Sequence, residues 1–170
     1  MNHRSPLIAG SFALFTMLVA SPPQAEAFFK RQHASTCIEN SLQPLATFQD
    51  QFLINTSETF FDYFDCGMQE DTSLRKEKVT SLNLTGVDES SVNAVFVRAC
   101  AGFSSGYGVQ CDPMVSNGPT SKTGAFTITV PHASWSVSHR LDYAYIEVAV
   151  PPFQNSFSGI SGVFIADING

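Results

Sequence analysis

Residues 125–130 (AFTITV) alternate strictly, with Phe126, Ile128 and Val130 on one side and Ala125, Thr127 and Thr129 on the other. A period of two predicts a strand with one buried and one wet face. Residues 143–150 (YAYIEVAV) repeat the pattern: Ala144, Ile146, Val148 and Val150 oppose Tyr143, Tyr145 and Glu147, and Pro151-Pro152 ends the run. Residues 79–85 alternate as well, Thr80, Leu82 and Leu84 against Ser81, Asn83 and Thr85, before Gly86 and Asp88 are expected to turn the chain. Residues 92–100 are apolar on both faces apart from Asn93 and Arg98, which predicts a central, covered strand. Residues 158–168 read as a last strand in which Gly159 and Gly162 permit a bulge or a close approach.

Two earlier segments, 46–54 (ATFQDQFLI) and 59–66 (TFFDYFDC), complete the set, each read as one strand. The second also fits a short helix capped by Ser57 with Phe60, Phe61 and Phe64 on one side. Its shortness, its aromatic content and the Cys66-Gly67 ending favour a strand. No helical stripe longer than two turns follows the N-terminal segment, and the connections are rich in Gly, Ser, Asn and Pro. The expectation is an all-β antiparallel β-sandwich, with a closed β-barrel as the alternative; jelly-roll and Ig-like strand orders are not distinguished by the pattern.

Composition supports one core rather than disorder: of 170 residues, 44% are hydrophobic and 14% charged. At the N-terminus His3 and Arg4 precede an uncharged run over residues 7–20, and Ala25-Glu26-Ala27 offers small residues for cleavage. This predicts a signal peptide over residues 1–27 and a single exported domain over 28–170. The run stops at Ser21-Pro22-Pro23, short of the roughly 20 apolar residues of a membrane span. Residues 28–36 read as a mobile polar tail, with Cys37 the first tied position.

The cysteines refine this picture. Cys37, Cys66, Cys100 and Cys111 all follow the cleavage site, and an even number in an oxidising compartment predicts two disulfides. Cys100 and Cys111 end two segments expected to form a hairpin, so they are paired with each other, leaving Cys37 for Cys66. No C-x-x-C pair is present, and neither a metal nor a cofactor is expected. The net charge of −6, with no cluster of lysine and arginine, argues against nucleic acid and anionic membranes as partners.

The chemical motifs are weak. Gly102-Phe103-Ser104-Ser105-Gly106 matches G-x-S-x-G, but that elbow needs a helix directly after the serine, and Tyr107-Gly108-Val109-Gln110-Cys111 leaves no room for one. Asp62 with Asp65 and Asp88 with Glu89 are the nearest carboxylate pairs, useful to a glycosidase only if they face one another across a cleft. His132 and His139 do not have the spacing of a helical zinc pair. No residue is therefore assigned a catalytic role, and a small hydrolase using Ser104 or a carboxylate pair is the alternative to the main reading.

That main reading is a secreted, non-catalytic module with a carbohydrate, a protein surface or a structural role as its business. Trp135 in a polar loop, with Tyr107, Tyr143 and Tyr145 off the core face, offers a platform for a sugar ring or a partner. The competing view has Trp135 plugging one end of the sandwich. Asn55-Thr56-Ser57 and Asn83-Leu84-Thr85 are glycosylation sequons, the second on a face expected to be exposed.

Overall fold

The computed structural model describes residues 28–40, 46–68, 75–103, 108–119, 123–136, 143–153 and 158–167. In chain order the strands are β1 (Phe28–His33), β2 (Cys37–Glu39), β3 (Ala46–Gln49), β4 (Phe52–Asn55), β5 (Asp62–Gly67) and β6 (Ser81–Asp88). They continue as β7 (Phe96–Gly102), β8 (Val109–Cys111), β9 (Val115–Ser116), β10 (Gly124–Thr129), β11 (Tyr143–Val150) and β12 (Ser158–Asp167). The described helices are short 3-10 turns at Ala34–Thr36, Lys76–Lys78 and Ala133–Ser136.

The strands form two antiparallel sheets. Sheet A runs β10-β6-β12-β4-β3, with β1 also on β12; sheet B runs β2-β5-β11-β7-β8, with β9 also on β7. No described pairing joins one sheet to the other, so the fold is an open sandwich and not a barrel. Alternation does the folding: Leu82, Leu84, Phe126, Ile128, Ile160 and Ile165 of sheet A meet Phe64, Val97, Ala99, Ile146 and Val148 of sheet B in one core. Asp88, 1% exposed, ties the sheets at one end. Its Oδ1 accepts from the Ser90 N–H and Ser158 Oγ, and its Oδ2 accepts from Asn117 Nδ2 at 2.7 Å.

Both disulfides form with the expected partners, Cys37 with Cys66 and Cys100 with Cys111. Each joins residues directly opposite in register, β2 to β5 and β7 to β8. The bulge in β12 falls between Ile160 and Gly162.

Four expectations are corrected. Residues 46–54 are a hairpin and not one strand, because Asp50 (φ 48°) and Gln51 (φ 76°) turn left-handed between β3 and β4. Residues 28–33 are not a loose tail: β1 pairs with β12 from Phe28↔Asp167 to His33↔Gly162, filling an edge that β4 leaves uncovered. Gly86 does not turn the chain but lies inside β6, where a methyl group would strike the Gly159 carbonyl and the Phe126 ring. The strand expected from residue 92 starts at Phe96, and Val92 is exposed.

Candidate functional site

The outward residues of sheet B build the site, and strand register sets their places. Arg98 of β7 lies opposite Glu147 of β11, Glu147 opposite Asp65 of β5, and Asp65 opposite Ile38 of β2. One cross-strand row therefore reads Arg98, Glu147, Asp65, Ile38. Above it on β11 stand Tyr145 and Tyr143, whose rings stack with centroids 5.9 Å apart and planes 24° apart. Below it Tyr63 and Phe96 flank Ala149. Tyr145 and Tyr63 are thus separated by two strand repeats, roughly 13 Å along the sheet.

Two glycines shape this face. Gly102 lies opposite Tyr143, and a methyl group there would collide with the tyrosine ring, which lies across it. Gly67 lies opposite Tyr145 and has open space above it, a shallow recess beside the ring.

The polar row is fixed. Arg98 Nε donates to Glu147 Oε1 and Nη2 donates to Oε2, both at 3.0 Å, a bidentate fork. Asn40 Nδ2 donates to Asp65 Oδ2 at 2.9 Å, and the Asn40 N–H donates to the Tyr63 carbonyl. Asp65 Oδ1 is buried with no hydrogen-bond partner. Burial first, and then the Glu147 charge, raise the Asp65 carboxyl above the usual range, against the Asn40 hydrogen bond and Arg98. Burial and the Asp65 and Glu147 charges likewise raise the Tyr145 phenol. Hydrogen bonding to Glu147 holds Arg98 more firmly protonated still.

The sequence-derived site residues fare differently. Tyr143, 57% exposed, and the half-buried Tyr145 come together on this face. Trp135 does not join them. It is 1% exposed, packs in the core, and its Nε1 donates to the Cys100 carbonyl at 2.9 Å, so it has no face to offer a ligand. Tyr107, Ser104 and His139 lie outside the described residues, as does the segment 1–27. Arg98, Glu147, Asn40 and Tyr63 were missed as site residues, and Asp65 was weighed only as the partner of Asp62 in a carboxylate pair. Their signal was Glu147 on the outward side of β11 and Arg98 breaking an apolar strand, but only register joins them.

The carboxylate pairs dissolve on inspection of the strands. Asp62 is fully buried and three residues from Asp65, hence on the opposite face of β5. Asp88 is bonded inside the sandwich end while Glu89 is exposed. The Phe103 N–H donates to the Gly108 carbonyl, and residues 109–111 form strand β8. Both ring nitrogens of His132 lie 3.0 Å from carbonyls, those of Val130 and Val79. Among the described residues no group of three His, Cys, Asp or Glu side chains could hold a metal ion, and no helix is long and apolar enough to cross a membrane.

The sequon at Asn55 is closed in the folded chain. The residue is 1% exposed, its Nδ2 donates to the Phe60 and Val150 carbonyls, and its Oδ1 accepts from the Ser57 N–H. Asn83 is half-buried on sheet A, donating to Ser81 Oγ and accepting from Thr129 Oγ1.

No protein-family model matches the chain, and no curated protein matches it in sequence. Among solved structures it is similar to a xylan-binding module, CBM15, at 8% identity and a TM-score of 0.48, over 84% of this chain and 97% of that one.

Proposed function

We propose that this is an exported, non-catalytic β-sandwich that binds a carbohydrate chain across the outer face of sheet B. The observation that carries the reading is the juxtaposition of the stacked Tyr143 and Tyr145 rings with a fixed row of donors and acceptors, one of which, Asp65 Oδ1, lacks a partner. Aromatic rings offer flat apolar area to the C–H faces of a sugar at little entropic cost. The sugar hydroxyls would meet Asp65, Glu147 and Arg98, groups whose geometry is set before binding. Glu147, the carboxylate opposite Asp65 in register, is committed to Arg98, which favours binding over hydrolysis.

Export rests on residues 1–27 and on two disulfides that an oxidising compartment would form. Mass analysis of secreted protein tests cleavage after Ala27.

The functional test is affinity electrophoresis against a panel of neutral polysaccharides, repeated with Tyr145→Ala and Tyr143→Ala. Retardation by at least one polymer and a loss of about thirtyfold in Tyr145→Ala are expected, the size of an aromatic hot spot. Unaltered binding in both variants would remove this face from the interaction.

A further inference from the structure

Among the described strands, every sheet edge but one is guarded against further pairing. In sheet B, β2, β8 and β9 are 3, 3 and 2 residues long, too short to template another strand. In sheet A, β3 has 4 residues and runs into the left-handed turn at Asp50 and Gln51, while β1 carries Lys30 and Arg31. β10 has none of these defences. It ends sheet A as 6 residues, Gly-Ala-Phe-Thr-Ile-Thr, with neither charge nor proline, and among the described residues β6 is its one strand partner.

The backbone groups that β10 leaves open follow from its ladder with β6. The Val130 N–H donates to the Leu82 carbonyl at 2.8 Å, and these two residues stand one step beyond the Thr129↔Asn83 pair. Opposed residues of an antiparallel pair alternate between exchanging hydrogen bonds and making none. Ile128 and Phe126 therefore bond to Leu84 and Gly86, whereas Ala125, Thr127 and Thr129 turn their N–H and C=O groups to the open edge. Those three residues are exposed, and Phe126 and Ile128 face the core.

We infer that β10 pairs with β10 of a second copy of this chain, antiparallel about a two-fold axis at Thr127, so that two A sheets become one. This centre sets Thr127 opposite itself and Ala125 opposite Thr129 of the partner subunit, three pairs whose open groups all meet, giving six backbone hydrogen bonds. A centre on Phe126 or Ile128 would leave Thr129 or Ala125 opposite a residue outside the strand. Side chains agree with the register: threonine meets threonine on the outer face, and Phe126 meets Ile128 of the partner subunit on the core face, both pairs that favour sheet formation. Each copy has a net charge of −6, but none of it lies on β10, so the self-pairing sets no like charges opposite one another. Each copy has one such edge, and a two-fold pairing closes the assembly at two. The inference does not depend on the site on sheet B.

Sedimentation equilibrium of the full secreted chain, from about 1 μM to about 1 mM, tests it. A dimer is expected. Thr127→Lys should weaken it at least about tenfold, because two lysines then meet on the axis, and Thr127→Glu should do the same. An equimolar mixture of these two variants should regain the association that each has lost, since lysine then meets glutamate. Thr127→Pro should be monomeric, as it removes a donor aimed at the edge and spares the ladder to β6. Thr127 is exposed, and circular dichroism confirms folding of its variants; if Thr127→Pro does not fold, the lysine and glutamate variants decide. A chain that is monomeric throughout overturns the inference and leaves β10 to a strand of a different protein. Growth beyond two copies, lysine and glutamate variants that associate as the parent does, or a mixture no more associated than either variant alone would each overturn it as well.

Discussion

Sheet A is held by length and sheet B by clamps. In sheet A the 10-residue β12 runs against the 8-residue β6, β1 and β10 add 6 residues each, and the far edge is the hairpin of the 4-residue β3 and β4. In sheet B the edges β2 and β8 are 3 residues each, too short to hold themselves by ladder hydrogen bonds, and each is fastened to its neighbour by a disulfide. The outer faces differ in the same sense: sheet A presents hydroxyls with Arg31 and His33, sheet B tyrosines over an Arg98–Glu147–Asp65 row. Sheet A buries Leu, Ile and Phe inward and sheet B Ile, Val, Ala and Phe, so the core demands only apolar alternation and leaves outward positions free to take different chemistry.

The largest expected effect breaks the clamps. Replacing both cysteines of either pair by serine should cost about 3 kcal/mol by loop closure, or roughly 6–12 °C in melting temperature for a domain of this size. Hydrogen exchange should show protection falling first in β2 or β8 while β6 and β12 keep theirs. Equal loss in both sheets would mean that the clamps serve the whole core and not the edges of sheet B.

Next is Arg98→Ala. It leaves Glu147, whose side chain is 15% exposed, beside Asp65 without its cation. The pair is intermediate between buried and surface, so a loss of about 2 kcal/mol is expected by chemical denaturation. The matched change on sheet A, Thr127→Val, removes an exposed hydroxyl and should stay within about 0.5 kcal/mol.

How far sequence reaches is visible in these same elements. Residues 125–130 and 143–150 announced themselves because each has one apolar face, and their inward residues are all buried. β1 did not, since Lys30, Arg31, Gln32 and His33 carry no apolar pattern; it is a strand because β12 offers it an edge. The hairpin at 46–55 was hidden because Asp50-Gln51 lacks the glycine that advertises such a turn. Tyr143 and Tyr145 could be placed off the core from period alone, whereas Asp65 reaches the site only through pairing of β5 with β11, and Asn40 only through pairing of β2 with β5, both set by long-range packing. Trp135 stayed open between platform and plug for a related reason: its Ser and His neighbours suggest solvent, but a short 3-10 turn drops the indole onto the Cys100 carbonyl.

Asp65→Asn gives a smaller effect with a pH signature. A carboxyl raised in the folded chain binds its proton more tightly there than when unfolded, so its contribution is fully present below the unfolded carboxylate range and is lost as pH rises through the folded value. The amide removes that loss. Thermal melts should show Asp65→Asn more stable than the parent at pH 7, with no gain near pH 3, where Asp65 is already protonated in both states. A gain that is the same at both values would assign the effect to something other than the charge.

The smallest change in stability is expected from Gly102→Ala, which sharpens the comparison most. The backbone at Gly102 is not left-handed, so alanine fits the chain itself and even narrows the unfolded ensemble. The collision it creates is with the far end of the Tyr143 ring, which can swing aside without moving the sheet. The melting temperature should therefore stay within about 2 °C of the parent, while carbohydrate affinity on sheet B falls severalfold because the Tyr143–Tyr145 stack is lost. In a Tyr143→Ala background the glycine substitution should then have no further effect on affinity, since the two act through one ring. Independent, additive losses would mean that Gly102 contributes its own contact, and that the recess and the stack are separate parts of the face.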